Sequence, residues 1–111
     1  IAMYRGLGML HAAHMPAALL RTLDGYIGSV SAHGVDGFVA SSPRGGRVFE
    51  ISASGDVQPA YTAADVCGVA KCEMGQTIVT DGHGRVYDLA PQRLSLQKQH
   101  DLAFDNHLVA I

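Results

Sequence analysis

Two short stretches of the chain carry the same alternation of apolar and polar residues. The first is GRVFEI at residues 46–51 and the second is GRVYDL at residues 84–89, so the copies lie 84 − 46 = 38 residues apart. In an extended chain, the arginine, the aromatic and the aliphatic residue of each copy share one face, while the valine and the acid share the other. A period of two with aromatic and β-branched residues predicts a β-strand at both places.

Similar segments flank both copies, so the repeat extends over residues 27–63 and 66–101. Each unit begins with an aliphatic run, breaks at glycine, resumes as a β-branched or aromatic run, and turns into the Gly-Arg-Val strand. A further strand-like segment closes each unit, at residues 56–63 and 94–101. Four short antiparallel strands in a unit of this length are typical of a β-propeller blade, whose period is about 40–45 residues in well-known repeats.

The two ends of the chain complete the predicted fold. Residues 1–14 predict a hairpin, and residues 16–23 predict a short helix with Pro16 at its start and Gly25 just beyond its end. The run AFDNHLVAI, residues 103–111, predicts one more first strand of a unit. We therefore expect an all-β fold, a propeller fragment of about two and a half four-stranded antiparallel blades with one short helix.

On this interpretation residues 1–111 are the C-terminal part of a single β-propeller domain, and the remaining blades of the same chain are partners of this segment. Two alternatives stay open. The repeat is also compatible with a small β-sandwich or barrel in which two similar hairpins arose by chance, and the chain is also compatible with a complete small domain.

Composition narrows the classes of function. The 111 residues are 48% hydrophobic and only 16% charged, with a formal net charge of −2. The eight Lys and Arg are scattered singly, which argues against nucleic-acid binding. No apolar run approaches the length of about 20 residues that a membrane-spanning helix needs.

Four segments in order resemble the C-terminal third of a bacterial family, domain-of-unknown-function family 1513. They are GYIGSV at 25–30, SSPRGGRV at 41–48, ADVCGVA at 64–70 and DNHLVA at 105–110, and the resemblance covers residues 17–111. It implies a seven-bladed type of propeller that is exported to the periplasm, often through a twin-arginine signal. It also implies genes that lie near those of imelysin-like iron-uptake proteins, and it brings no catalytic residues.

The segment FDNHL, residues 104–108, contains the first candidate site. Asp105 and His107 are two residues apart, so on a strand they face the same way, and the start of a first strand lies at the mouth of a propeller channel. A carboxylate and an imidazole together suit a divalent metal ion. The alternative is structural, with Asp105 capping a turn and His107 bonding across blades. His83, at a predicted hairpin tip, is a second metal candidate.

Other polar residues have simpler interpretations. His33 adjoins Gly34 in a predicted turn and is expected to be solvated. Cys67 and Cys72 form a C-x4-C pair without a second pair, which is a weak metal signature, and two buried thiols acting as small hydrophobes are the favoured interpretation. Glu50, which recurs as an acid at the matching position of the second unit, is expected to have a structural role.

No nucleophile elbow, phosphate-binding loop or zinc-protease motif occurs in the chain. The main functional hypothesis is therefore a non-enzymatic periplasmic binding module, with a divalent metal as a candidate cofactor and periplasmic iron-uptake proteins as candidate partners. The alternative is a propeller enzyme, hydrolytic or redox, whose active site is assembled at the channel mouth. A fold of this kind supports both.

Overall fold

The computed structural model describes residues 1–4, 6, 8, 10–91, 93–109 and 111. Its elements are one short helix, α1 (Ala17–Thr22), and strands β1 (Ala2–Tyr4), β2 (Leu10–Ala12), β3 (Ser29–His33), β4 (Gly37–Ser42), β5 (Arg47–Ile51), β6 (Tyr61–Thr62), β7 (Val66–Lys71), β8 (Thr77–Asp81), β9 (Arg85–Ala90) and β10 (Arg93–Gln99). The expected all-β class is confirmed.

The strands form one hairpin and two four-stranded sheets. Strands β1 and β2 pair with each other, the first sheet has the order β3-β4-β5-β6, and the second has the order β7-β8-β9-β10. Every pairing within the sheets is antiparallel and joins strands that are consecutive in the chain. The two sheets coincide with the two repeat units found in the sequence.

The repeated Gly-Arg-Val strands occupy matching places in the two sheets. In the first sheet Val48 lies opposite Ser41, and in the second sheet Val86 lies opposite Thr80. The predicted alternation of faces is also confirmed in β5, because Val48 and Phe49 are both fully buried but belong to different hydrophobic clusters. The first sheet is thus covered on both faces.

The two hydrophobic clusters show how the hairpin, the first sheet and the second sheet are layered. One joins the sheets and contains valines and a leucine from both: Val39, Val48, Val66, Val69, Val79 and Leu89. The other joins the first sheet to the hairpin and to the chain after the helix: Met3, Leu23, Ala40, Phe49 and Ile51. The hairpin therefore packs on one face of the first sheet, and the second sheet packs on the other.

The helix is close to the prediction. It follows Pro16, which stands at the N-cap position with φ −57°, and it ends before Leu23, which is buried. Thr22 Oγ1 donates a hydrogen bond to the carbonyl of Leu19, so the last turn has a local polar contact. Leu20 is half exposed, so the apolar face of the helix is narrower than its leucines suggest.

Two predicted strands differ from the structure. The segment at 56–63 forms only the two-residue strand β6, apart from two isolated bridges, Asp56 with His14 and Val57 with Ile51. Pro59 interrupts it, because proline has no N–H to donate to a sheet ladder. The expected strand at 103–111 is not formed by residues 103–109 or 111, whose backbone has no strand partner in the described part of the chain, and residue 110 lies outside the described residues.

Candidate functional site

A cleft opens where the first strands of the two sheets, β3 and β7, run beside each other. The third wall is the chain after the second sheet, and the cleft is open to solvent, with a volume of about 460 Å³. Its lining combines hydroxyl, amide, ammonium and imidazole groups with aliphatic side chains: Gly28, Ser29, Val30, Ser31, Val69, Ala70, Lys71, Asn106, His107, Leu108 and Val109.

Serine hydroxyls hold the two edges together without pairing them as strands. The N–H of Val69 donates to Ser29 Oγ at 3.2 Å, and the N–H of Lys71 donates to Ser31 Oγ at 3.0 Å. Farther back, Ser41 Oγ donates to the carbonyl of Cys67. Because side chains replace direct backbone pairing, the edges stay far enough apart to leave a cleft between them.

Two glycines allow the chain after residue 103 to approach these edges. A Cβ atom on Gly28 would lie 2.8 Å from Pro43 Cδ and 2.9 Å from Asn106 Oδ1. A Cβ atom on Gly68 would lie 2.7 Å from Thr80 Oγ1 and 2.9 Å from Leu108 Cβ. Larger residues at these positions would push the third wall of the cleft outward.

Hydrogen bonds fix this terminal segment in place. Asn106 Nδ2 donates to the hydroxyl of Tyr26 at 2.8 Å, and Cys67 Sγ lies 3.5 Å from the carbonyl oxygen of Phe104, to which it donates. Burial raises the pKa of the Cys67 thiol, although its hydrogen bond to Thr80 opposes the shift. The thiol therefore stays protonated and remains a donor at neutral pH.

The structure places Asp105 and His107 differently from each other. Both are exposed, while Phe104, Asn106 and Leu108 are half buried, so the alternation expected of an extended chain is present although no strand forms. His107 lines the cleft, whereas Asp105 does not. Instead Asp105 Oδ1 accepts a hydrogen bond of 2.7 Å from the N–H of Asn106.

His83 lies elsewhere, in the turn between β8 and β9. It is exposed, and its Nδ1 lies 3.5 Å from a terminal guanidinium nitrogen of Arg85. Within the described ranges, no three His, Cys, Asp or Glu side chains gather closely enough to hold a metal ion. The structure therefore does not bring His83 together with Asp105 and His107.

A second polar cluster, which the sequence did not reveal, joins the two sheets. His33 Nδ1 lies 2.8 Å from Thr77 Oγ1, and His33 Nε2 lies 3.3 Å from Glu50 Oε2. The hydroxyl of Tyr61 donates to the other oxygen of Glu50 at 2.9 Å. His33 is thus a half-buried connector rather than the solvated turn residue expected from its neighbour glycine. Glu50 contacts both His33 and Tyr61, and its structural role stays a prediction.

This cluster gives a measurable coupling between the sheets. We expect the variants His33→Ala and Thr77→Val to show an interaction free energy of about 1 kcal/mol in a double-mutant cycle, because each removes the same hydrogen bond. Urea unfolding of the two single variants and the double variant measures it. Additive losses within about 0.3 kcal/mol would show that the bond does not contribute.

The comparisons with known proteins bear on the whole chain. A family model described as "Protein of unknown function (DUF1513)" matches residues 1–111. A search of curated proteins finds no match.

Proposed function

We propose a function from the premise that this chain belongs to the DUF1513 family. Its two sheets are neighbouring blades of a β-propeller, and the cleft between their first strands is a binding site. On this proposal the protein is a non-enzymatic periplasmic binding module that takes part in iron uptake. The observation that carries it is the cleft of about 460 Å³ at the adjoining first-strand edges.

The propeller proposal is supported by the way the sheets pack. Each is a four-stranded antiparallel meander, and the second covers one face of the first while the hairpin covers the other. In a propeller, successive blades pack face to face and their first strands surround a central channel. The adjacency of β3 and β7, held by Ser29 and Ser31, is the arrangement expected on the channel side.

The cleft has groups suited to a polar ligand. His107 is exposed in its wall, and Asn106 beside it is held by Tyr26, so the backbone that carries the imidazole is fixed. Lys71 directs its ammonium group to the carbonyl of Gly34 at 2.9 Å, which leaves the imidazole as the most available nitrogen ligand in the lining. We infer that His107, with Asp105 next along the exposed side of the segment, contributes to a divalent metal site whose further ligands come from the other blades of the proposed propeller.

The enzymatic alternative has one observation in its favour. Thr77, His33 and Glu50 follow the hydroxyl–imidazole–carboxylate order that activates nucleophiles in many hydrolases. However, Thr77 is only 1% exposed, so a substrate cannot reach its hydroxyl in this structure. A binding module is therefore the function that the geometry supports better.

The proposed location and partners rest on the family resemblance of the segments at 25–30, 41–48, 64–70 and 105–110, which implies export to the periplasm and genes near those of imelysin-like iron-uptake proteins. Among the described residues, no helix has the length and apolar character required to cross a membrane.

Metal titration tests this site. We expect calorimetry of the full-length protein with ferrous, cupric and zinc ions to show binding that the double variant Asp105→Asn/His107→Ala weakens at least tenfold, because two ligands are lost. His83→Ala, which changes an exposed histidine outside the cleft, is the matched control and should bind as the unmodified protein does. Equal binding by the folded double variant would overturn the metal site.

A further inference from the structure

The turns between the first and second strands of the two sheets present large apolar side chains to solvent. Val35 is 96% exposed and Met74 is 84% exposed. Glycine, asparagine, aspartate and proline usually occupy hairpin tips, so an apolar side chain at such a place has no evident local reason. Single exposed apolar residues are common, but Val35 and Met74 occupy corresponding positions in the two sheets.

They occupy equivalent positions. Val30 pairs with Ala40 in the first sheet and Val69 pairs with Val79 in the second, which sets the structural offset at 69 − 30 = 39 residues. The offset between the tips is the same, 74 − 35 = 39. The apolar tip is thus a repeated feature of the two sheets.

The two tips also lie at one end of the molecule. Lys71, at the end of β7, donates from Nζ to the carbonyl of Gly34 at 2.9 Å, immediately before the first tip. His33 and Thr77, which flank the two turns, are 2.8 Å apart between Nδ1 and Oγ1. The turns are therefore neighbours, and Val35 and Met74 belong to one surface.

Acidic residues adjoin both tips. Asp36 follows Val35, Glu73 precedes Met74, and both are exposed. The cation of this region, Lys71, has its ammonium group bonded to a backbone carbonyl of the neighbouring turn. We call Val35, Asp36, Glu73 and Met74 the tip surface. It combines two apolar anchors with two negative charges.

We propose that the tip surface docks a basic amphipathic segment of a partner protein, with Val35 and Met74 contacting its apolar side and Asp36 and Glu73 facing its lysines or arginines. Charge complementarity selects this occupant. The same carboxylates oppose an anionic lipid surface, and they repel the identical tip surface of a second copy. The tip surface shares no residue with the lining of the cleft that contains His107. The docking proposal and the metal-site proposal can therefore be tested independently.

A designed peptide provides the probe. Fluorescence anisotropy measures binding of a labelled helical peptide made of leucine and lysine to the full-length protein. We expect Val35→Ser/Met74→Ser to weaken binding about tenfold, because two side chains lose their apolar contact. Leu20→Ser/Leu96→Ser removes two other exposed apolar side chains and should leave the affinity unchanged.

Charge is tested separately. Asp36→Asn/Glu73→Gln keeps the shape of the tips, and we expect it to weaken binding and to reduce the dependence of affinity on sodium chloride. Equal affinity of the Val35→Ser/Met74→Ser variant, here called the tip variant, and the unmodified protein would overturn the proposal. So would equal binding of a leucine–glutamate peptide, stronger binding to anionic phosphatidylglycerol vesicles than to the basic peptide, or self-association that the tip variant abolishes.

Discussion

Replacing Asp81 by alanine is expected to lower the free energy of unfolding by about 3 kcal/mol. The carboxylate is completely buried, and its Oδ1 accepts hydrogen bonds of 3.0 Å from the N–H groups of His83 and Arg85. Its Oδ2 accepts a hydrogen bond of 2.9 Å from the Tyr87 hydroxyl. Arg85 Nε lies 2.6 Å from Oδ2 without the geometry of a hydrogen bond, so that contact is electrostatic. The substitution leaves all of these donors without their acceptor.

Chemical denaturation of the variant measures the loss, and the first sheet supplies the control. Ser42 occupies the position in β4 that Asp81 occupies in β8. Its hydroxyl accepts from the N–H of Gly45 and donates to the carbonyl of Leu23. Since it carries no charge and makes fewer bonds, Ser42→Ala should cost only about 1 kcal/mol. Equal losses at the two positions would contradict the special role of the carboxylate.

The same residue predicts how stability depends on pH. Burial by itself would raise the pKa of Asp81, but the hydrogen bonds from Arg85, Tyr87 and His83 and the charge of Arg85 outweigh it, so the pKa lies below the ordinary value of 3.8. The resulting stabilisation is present above the unfolded-state pKa and is lost as pH falls through the lower folded-state pKa. Asp81→Asn should therefore be less stable than the unmodified protein at about pH 7, and the difference should shrink below about pH 4.

Gly84→Ala is expected to destabilise the protein by about 3 kcal/mol or more. The residue has φ +84°, a left-handed conformation that costs an alanine about 1–2 kcal/mol. In addition, an added Cβ atom would collide with the backbone carbonyl oxygens of His100 and Leu102. These atoms belong to the main chain and cannot turn aside, so the segment that follows β10 would have to move.

Gly75→Ala separates the two causes. Gly75 has nearly the same φ, +82°, but a Cβ atom there meets no atom within 4 Å. We expect a loss of only about 1–2 kcal/mol from backbone strain. Thermal unfolding of both variants gives the comparison. If Gly84→Ala were no worse than Gly75→Ala, the close approach of the chain after β10 would not matter to stability.

Local pattern was sufficient to predict most of the strands. The alternation around Val48 and Val86, together with the glycines before them, marks strands and turns whose cause is local sterics and burial. The pattern was insufficient at 103–109, where the residues alternate as a strand would but have no pairing partner in the described structure. A β-strand forms only when a neighbouring strand pairs with it. The alternation of residues along one segment does not show whether such a partner strand exists.

The site was predictable only in part, for a similar reason. The polar residues that interrupt an apolar segment predict a site at His107, and His107 lines the cleft. The contacts of Asn106 with Tyr26 and of His33 with Thr77 join residues 80 and 44 positions apart. Such pairs depend on how the sheets pack, and no single-chain spacing rule reports them.

The meander order of the sheets has a consequence for how the chain folds. Because the strands within each sheet pair with their neighbours along the chain, each sheet can form by closing short loops, whose entropic cost is small. Contacts between the sheets, such as Ser29 with Val69, join residues 40 positions apart and become available only when both sheets have taken shape. Low contact order within each sheet favours rapid local pairing, so we expect the contacts between the sheets to form later.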